Sequence, residues 1–183
     1  MNHLDDGAIA ALTGFYRTVL PASGDVLDLM SSWVSHLPAD LPLGTVIGHG
    51  MNEVELAANP RLSRWFIQDL NLDPTLPLRS GIIDTALCCV GVQYLERPIE
   101  VLTEVARVLR PGSVVIVSFS NRCFPTKAVA IWRESNMAAQ ARLIARYLVA
   151  AGFDTAHIRV LADGSRSDPL IAVVGRTGLA VAA

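Results

Sequence analysis

The sequence predicts an α/β fold in which helices cover a doubly wound, mostly parallel sheet. Segments with strand patterns alternate with segments with helix patterns, which is typical of parallel sheets with right-handed crossovers. The most continuous apolar run, residues 82–90, has the character of a central strand buried on both faces. The last two predicted strands, 155–161 and 170–175, have no helix between them, so we expect them to pair as an antiparallel hairpin.

Each of the main predicted helices has apolar residues at helical spacing and a residue that starts or ends it. Asp5 or Asp6 can cap the first helix, and Pro21 ends it. Pro98 begins the strongest helical pattern, and Arg110 at the end of that pattern suits the helix dipole. The other helical segments are predicted at residues 53–58, 61–64, 128–133 and 137–151.

The first five predicted strands lie between these helices. Pro38 and Pro42 leave room for at most a short helix between the first two strands. Pro111 and Gly112 are expected to turn the chain from the helix into strand five. These five strands are predicted at residues 25–29, 45–49, 65–68, 82–90 and 113–118.

The composition excludes several classes of protein. The 183 residues are 51% hydrophobic and 17% charged, which argues against disorder and predicts one domain over residues 1–183. A net charge of −2 without a basic run argues against nucleic-acid binding, and no apolar run approaches the ~20 residues of a membrane span. Three cysteines without a CxxC pair, and a start without an export pattern, favour a cytoplasmic protein. We expect no metal site.

The stretch 24–38 carries the residues from which we expect a ligand site. Its strand is apolar except for Asp28, and a buried carboxylate is costly unless it is hydrogen-bonded. In open α/β sheets, ligands lie outside the carboxyl ends of the strands, where this loop begins. The loop offers hydroxyl, indole and imidazole groups on Ser31, Ser32, Trp33, Ser35 and His36.

Three motifs resemble the class I S-adenosylmethionine-dependent methyltransferases, and within them the small-molecule group called methyltransferase type 11. Residues 26–29 resemble the first strand of that family, and residues 81–87 with 92–95 resemble its fourth strand and exit. Residues 105–112 with 114–117 resemble its helix, Pro-Gly turn and fifth strand. The resemblance implies a Rossmann-like seven-stranded sheet in the order 3-2-1-4-5-7-6, with the last strand antiparallel. It also implies S-adenosyl-L-methionine as cofactor and methyl transfer to a small-molecule acceptor.

Two cofactor contacts depart from the family's pattern. The family has a glycine-rich loop after strand one, and here that loop is Met30-Ser-Ser-Trp33. Its second strand ends in an acid that binds the ribose hydroxyls, and the corresponding residue here is Gly50. Asn52 either replaces that acid or simply caps a helix, whereas Asp69 matches the acid that meets the adenine amino group. The resemblance implies a cofactor site of Asp28, Met30, Ser31, Ser32, Trp33, Gly50, Met51, Asn52, Asp69, Leu70, Asn71 and Cys89.

The loops after strands four and five should face each other across the transferred group, because both strands end at the same edge of the sheet. Tyr94 and His36 are the candidate catalytic residues, although a single Tyr or His in such a loop is more often structural. Arg122 is the only cation in these two short loop stretches, so we expect an acidic acceptor held by Arg122 and covered by Phe124. The predicted acceptor site consists of Gln93, Asn121, Arg122 and Phe124.

Two alternative functions remain open. A nucleoside-binding or scaffold protein could keep the fold without turnover, as the missing glycine loop and missing acid suggest. A nicotinamide oxidoreductase is less favoured, because no G-x-G-x-x-G follows a strand. We expect any lid over the site to come from the first helix, from residues 124–133, or from the partner subunit of a homodimer.

Overall fold

The computed structural model describes residues 4–179 and contains one mixed sheet with five α-helices. The strands are β1 Val26–Leu29, β2 Val46–Gly50, β3 Arg64–Ile67, β4 Ile83–Cys89, β5 Leu109–Ser120, β6 Thr155–Ala162 and β7 Leu170–Arg176. The helices are α1 Asp6–Val19, α2 Glu53–Ala58, α3 Pro98–Val108, α4 Ala130–Arg133 and α5 Met137–Ala150, with a 3₁₀ turn at Val92–Tyr94. Within the described residues, no helix is long and apolar enough to cross a membrane.

The strand order is β3-β2-β1-β4-β5-β7-β6, which confirms the predicted order. The pairs of β1 with β2, β1 with β4, β2 with β3 and β4 with β5 are all parallel. The final strand β7 is antiparallel to both β5 and β6. The carboxyl ends of β1, β2, β3, β4 and β5 therefore meet at one edge of the sheet.

Helices cover both faces of the sheet, because successive side chains of a strand point to opposite sides. On β1, Val26 packs in a cluster with Leu12 of α1. Its neighbour Leu27 belongs to a second cluster with Val105 of α3 and Ile144 of α5. All five side chains are fully buried. Strand β1 is thus enclosed by α1 on one side and by α3 and α5 on the other.

The helix predicted at residues 61–64 is absent. The chain instead turns at Pro60 and enters the sheet directly, since the backbone N–H of Ser63 donates to the carbonyl of Val46 at 2.8 Å. Strand β3 then begins at Arg64. Pairing with β2 therefore outweighs the helical pattern of this short segment.

The Pro111-Gly112 turn is a bulge inside β5 rather than a break before it. Leu109 already pairs with Ile83, and the regular register resumes where Val114 pairs with Thr85. Gly112 has a φ of 77°, a conformation that glycine adopts without a steric cost. The expected turn is thus a bulge within the strand, and β5 starts directly after α3.

Candidate functional site

A pocket of about 410 Å³ lies at the edge of the sheet where β1, β2, β3 and β4 end. This volume is within the usual range for small-molecule sites, and the position is where open parallel sheets bind ligands. Every residue that we expected to hold the cofactor lines this pocket, from Asp28 to Cys89. Tyr94, His36 and Phe124 line it as well. One cavity thus brings together residues from several loops that are distant in sequence.

Asp28 provides a buried carboxylate at the end of β1. Its side chain is only 3% exposed, and the Ser31 hydroxyl donates to Oδ2 at 2.6 Å. Burial raises the pKa of Asp28 from 3.8 to about 6, although hydrogen bonds with Ser31 and Ser35 act in the opposite direction. A carboxylate in this setting gains from a cationic ligand group, because the cation offsets the cost of desolvating the charge.

The loop after β1 contains no glycine and is held in place by hydrogen bonds to neighbouring residues. Met30 adopts a positive φ of 56°, a conformation that usually requires glycine. The backbone N–H of Ser31 donates to the carbonyl of His49 at 2.7 Å. Asn59 donates from Nδ2 to the Ser32 carbonyl at 2.8 Å. The loop therefore lies against the end of β2 in a fixed conformation.

The His49 side chain is neutral and helps to hold this loop in place. The ring is 2% exposed, its Nδ1 accepts from the Met30 N–H at 3.1 Å, and its Nε2 lies 2.9 Å from the Gln68 carbonyl. These two partners require the tautomer with the proton on Nε2. Burial lowers the pKa of His49, which keeps the ring neutral at physiological pH. Both ring nitrogens are engaged in positioning the backbone, so we assign no proton transfer to this residue.

Backbone strain is concentrated around the pocket. Met30, His36 and Val90 have φ values of 56°, 53° and 51°, and all three line the cavity. Positive φ is uncommon outside glycine and is a clear outlier for a β-branched residue such as Val90. Such strain is typical of functional sites, where the surrounding structure holds the backbone in place.

The loop after β3 lies against the turn after β4. Asp69 accepts from the backbone N–H of Asn71 at 2.9 Å. Asn71 then donates from Nδ2 to the Tyr94 carbonyl at 3.0 Å and accepts from the Glu96 N–H at 2.9 Å. The Asn71 side chain thus joins the two loops, while Asp69 and Leu70 line the pocket beside it.

Sequence reasoning missed Glu55, which lines the pocket from the first turn of α2. Its Oε2 accepts from the Ser32 hydroxyl at 2.5 Å, and its Oε1 accepts from Asn52 Nδ2 at 3.0 Å. Asn52 also caps α2, since its Oδ1 accepts from the N–H groups of Val54 and Glu55. The sequence contained a signal: an acid three residues after an N-cap often turns back towards the cap. Gln68 also lines the pocket and was not predicted there, and Lys127 from the loop after β5 lines it as well.

Three of the four predicted acceptor residues lie outside the pocket. Gln93 is 1% exposed and donates from Nε2 to the Val90 carbonyl at 3.0 Å, so it is a buried structural residue. Asn121 is exposed and not part of the lining. Arg122 is exposed and forms an ion pair with Asp168 at 2.9 Å, in the loop between β6 and β7. The expectation of an acidic acceptor held by Arg122 is therefore wrong.

The two candidate catalytic residues are both in the pocket. The Tyr94 hydroxyl accepts from the backbone N–H of Phe124 at 2.9 Å and still has its own proton to donate. His36 lines the same cavity, and its backbone carbonyl accepts from the Thr13 hydroxyl at 2.9 Å. Among residues 4–179, no group of three or more His, Cys, Asp and Glu side chains is arranged to hold a metal ion.

Comparison with known proteins identifies the fold. Residues 39–117 match the family model described as a methyltransferase domain, and no curated protein sequence matches the chain. A chain from the complex between the Haloferax volcanii Trm112 methyltransferase activator and a methyltransferase is 16% identical, with a TM-score of 0.73 over 97% of this chain and 92% of that one. The [4+2]-cyclase SpnF is 16% identical, with a TM-score of 0.68 over 92% and 81% of the two chains.

An S-adenosylmethionine-dependent methyltransferase from Mesorhizobium loti is also 16% identical, with a TM-score of 0.64 over 91% of this chain and 97% of that one. At these identities the structural similarity shows the fold alone. The match to the methyltransferase-domain model runs from the loop before β2 to near the end of β5. Together with the strand order, these findings show that the chain has the Rossmann-like fold of the S-adenosylmethionine-dependent methyltransferases.

Proposed function

We propose that the protein transfers a methyl group from S-adenosyl-L-methionine to a small-molecule acceptor. The observation that carries this proposal is the single pocket that collects every residue expected at the cofactor. The pocket lies at the carboxyl edge of a sheet with the strand order of the superfamily.

The residues in the pocket fit the chemical groups of this cofactor. The buried carboxylate of Asp28 suits the cationic amino group at one end. Asp69 suits the adenine amino group at the other end, with Leu70 offering apolar surface beside the ring. A cavity that contains the carboxylates of Asp28 and Asp69 together with apolar surface is suited to a cationic nucleoside.

The reaction demands positioning more than acid–base chemistry from this chain. When bound, the cofactor supplies a methyl group that is already activated on a sulfonium. The protein then has to hold the acceptor atom in line with that methyl group. Tyr94 is the side chain that we propose for orienting the acceptor. His36 would serve as a base only for an acceptor whose proton has a high pKa.

The mouth of the pocket favours an acceptor with apolar surface. Trp33, Met51 and Phe124 line the cavity and are 47%, 66% and 49% exposed. Lys127 is a cation at the same site, with its Nζ 5.4 Å from the centre of the Phe124 ring. We propose a small acceptor that packs on these aromatic and thioether side chains.

Titration of the purified protein with S-adenosylmethionine and S-adenosylhomocysteine by calorimetry tests this proposal. Binding of both ligands is expected, followed by formation of S-adenosylhomocysteine when a panel of small apolar acceptors is supplied. Absence of binding would contradict the proposal and favour a scaffold protein. Light scattering on the same purified protein distinguishes a monomer from a homodimer.

A nucleoside-binding protein without turnover is the second candidate. The Ser31 and Ser32 hydroxyls donate to Asp28 and Glu55, so they are already engaged within the protein. The superfamily fold also occurs in SpnF, which is described as a cyclase, so the fold does not by itself imply methyl transfer. Binding without methyl transfer to any member of the acceptor panel would favour this second function.

A further inference from the structure

We propose that Glu55 is the carboxylate that binds the vicinal hydroxyls of the cofactor's ribose. This inference rests on the proposed function. It names a residue that binds the ribose hydroxyls in place of the acid that the end of β2 lacks. The candidate lies on α2, outside the position where sequence comparison would look for it.

The structure explains why β2 cannot carry this acid at Gly50. A Cβ atom at Gly50 would lie 2.8 Å from the carbonyl oxygen of Ser31 and 3.3 Å from the side chain of Leu56. The hydrogen bond from the Ser31 N–H to the His49 carbonyl holds the loop in this place. Because the contact at 2.8 Å is with backbone, no side-chain rotation relieves it. The loop after β1 therefore occupies the space that a residue with a side chain would need.

Glu55 presents a carboxylate with unused acceptor capacity in the same cavity. Its two oxygens accept one hydrogen bond each, from Ser32 at 2.5 Å and from Asn52 at 3.0 Å. A carboxylate has about four lone-pair positions, so two further hydrogen bonds can be accepted. Two adjacent hydroxyl groups are a matching pair of donors. The bonds from Ser32 and Asn52 also hold the side chain in one orientation before a ligand arrives.

The sheet order places Glu55 between the two other carboxylates of the pocket. Asp28 lies on β1, Asp69 follows β3, and Glu55 follows β2, which is the strand between them. In an adenosine-based cofactor, the ribose likewise lies between the base and the amino-acid tail. The order of the three carboxylates thus matches the order of donor groups along the ligand.

The test compares S-adenosylhomocysteine with its 2′-deoxy analogue on the wild-type protein, Glu55→Gln and Glu53→Gln. Glutamine keeps the size of Glu55 but removes its charge. Glu53→Gln is the control, because Glu53 is an exposed residue on the same helix that does not line the pocket. Calorimetry gives the dissociation constants, and thermal unfolding checks that each variant is folded.

Glu55→Gln should weaken S-adenosylhomocysteine about tenfold or more, as expected for the loss of a charged hydrogen-bond partner. It should weaken the 2′-deoxy analogue by a clearly smaller factor, because that analogue keeps only the 3′-hydroxyl as a donor to Glu55. Glu53→Gln should change neither ligand. Equal weakening of both ligands would show that Glu55 acts through the loop and would overturn the inference. Unchanged affinity in Glu55→Gln would overturn it as well. Failure of the wild-type protein to bind S-adenosylhomocysteine would instead refute the proposed function, and the inference with it.

Discussion

Replacing Asp28 by asparagine should change how the stability of the protein depends on pH. The pKa of the Asp28 carboxyl is raised from 3.8 to about 6 by burial, despite hydrogen bonds with Ser31 and Ser35. A group whose pKa is higher in the folded state stabilises the fold fully below pH 3.8, and this contribution is lost as the pH rises through about 6. The shift corresponds to about 3 kcal/mol, and about half of that is lost between pH 5 and pH 8.

Urea unfolding at pH 5 and pH 8 measures this effect in the wild-type protein and in Asp28→Asn. From pH 5 to pH 8, the free energy of unfolding of the wild-type protein should fall by about 1–2 kcal/mol relative to that of the variant. His49 contributes an opposite trend because burial lowers its pKa, but this contribution is common to both proteins and cancels.

Asp73→Asn is the matched control for this measurement. Asp73 is exposed, and a hydrogen bond from the backbone of Thr75 lowers its pKa, so its titration lies below the pH interval used. The control should therefore follow the wild-type protein between pH 5 and pH 8. Parallel behaviour of Asp28→Asn and the wild-type protein would refute the assignment of a desolvated, titrating carboxyl at this position.

Two further substitutions test the packing around the loop after β1. Asn59→Ala should lower the free energy of unfolding by about 2–4 kcal/mol, because it removes a 3% exposed side chain with hydrogen bonds to two loop residues. Exposed Asn121→Ala is its control and should change stability by less than about 0.5 kcal/mol in a denaturant titration. Gly91→Ala should destabilise by about 1–3 kcal/mol, because its Cβ would lie 2.9 Å from the methionine side chain that follows β1. Gly14→Ala, in α1 with nothing within 4 Å of its added Cβ, should instead raise the melting temperature. Equal changes in stability for Asn59→Ala and Asn121→Ala would contradict the packing around the loop. Equal changes for Gly91→Ala and Gly14→Ala would contradict it as well.

Most of the fold could be predicted because its determinants are local. Pro98 starts α3, Asn52 caps α2, and Asp5 caps α1, as their residue types and positions indicate. The alternation of strands and helices then fixes a parallel sheet. The helix predicted at residues 61–64 was wrong because this segment pairs with β2. That pairing outweighs a weak helical pattern and cannot be read from the local sequence.

The candidate site could be predicted only in part because several of its determinants are contacts between distant loops. Arg122 is a plausible anion-binding residue by type, but the hairpin of β6 and β7 places Asp168 beside it. Gly50 marks a missing acid in the sequence, whereas the crowding by the Ser31 carbonyl appears only in three dimensions. Glu55 was missed for the same reason, since its contact with the loop spans 23 residues.

A crystal structure of the protein with S-adenosylhomocysteine tests the central claim most directly. The account predicts the ligand in the pocket at the carboxyl edge of the sheet, with its amino-acid end near Asp28 and its adenine amino group near Asp69. The ribose hydroxyls should lie within hydrogen-bond distance of Glu55. A ligand bound elsewhere on the protein, or an empty pocket at saturating ligand concentration, would contradict the account.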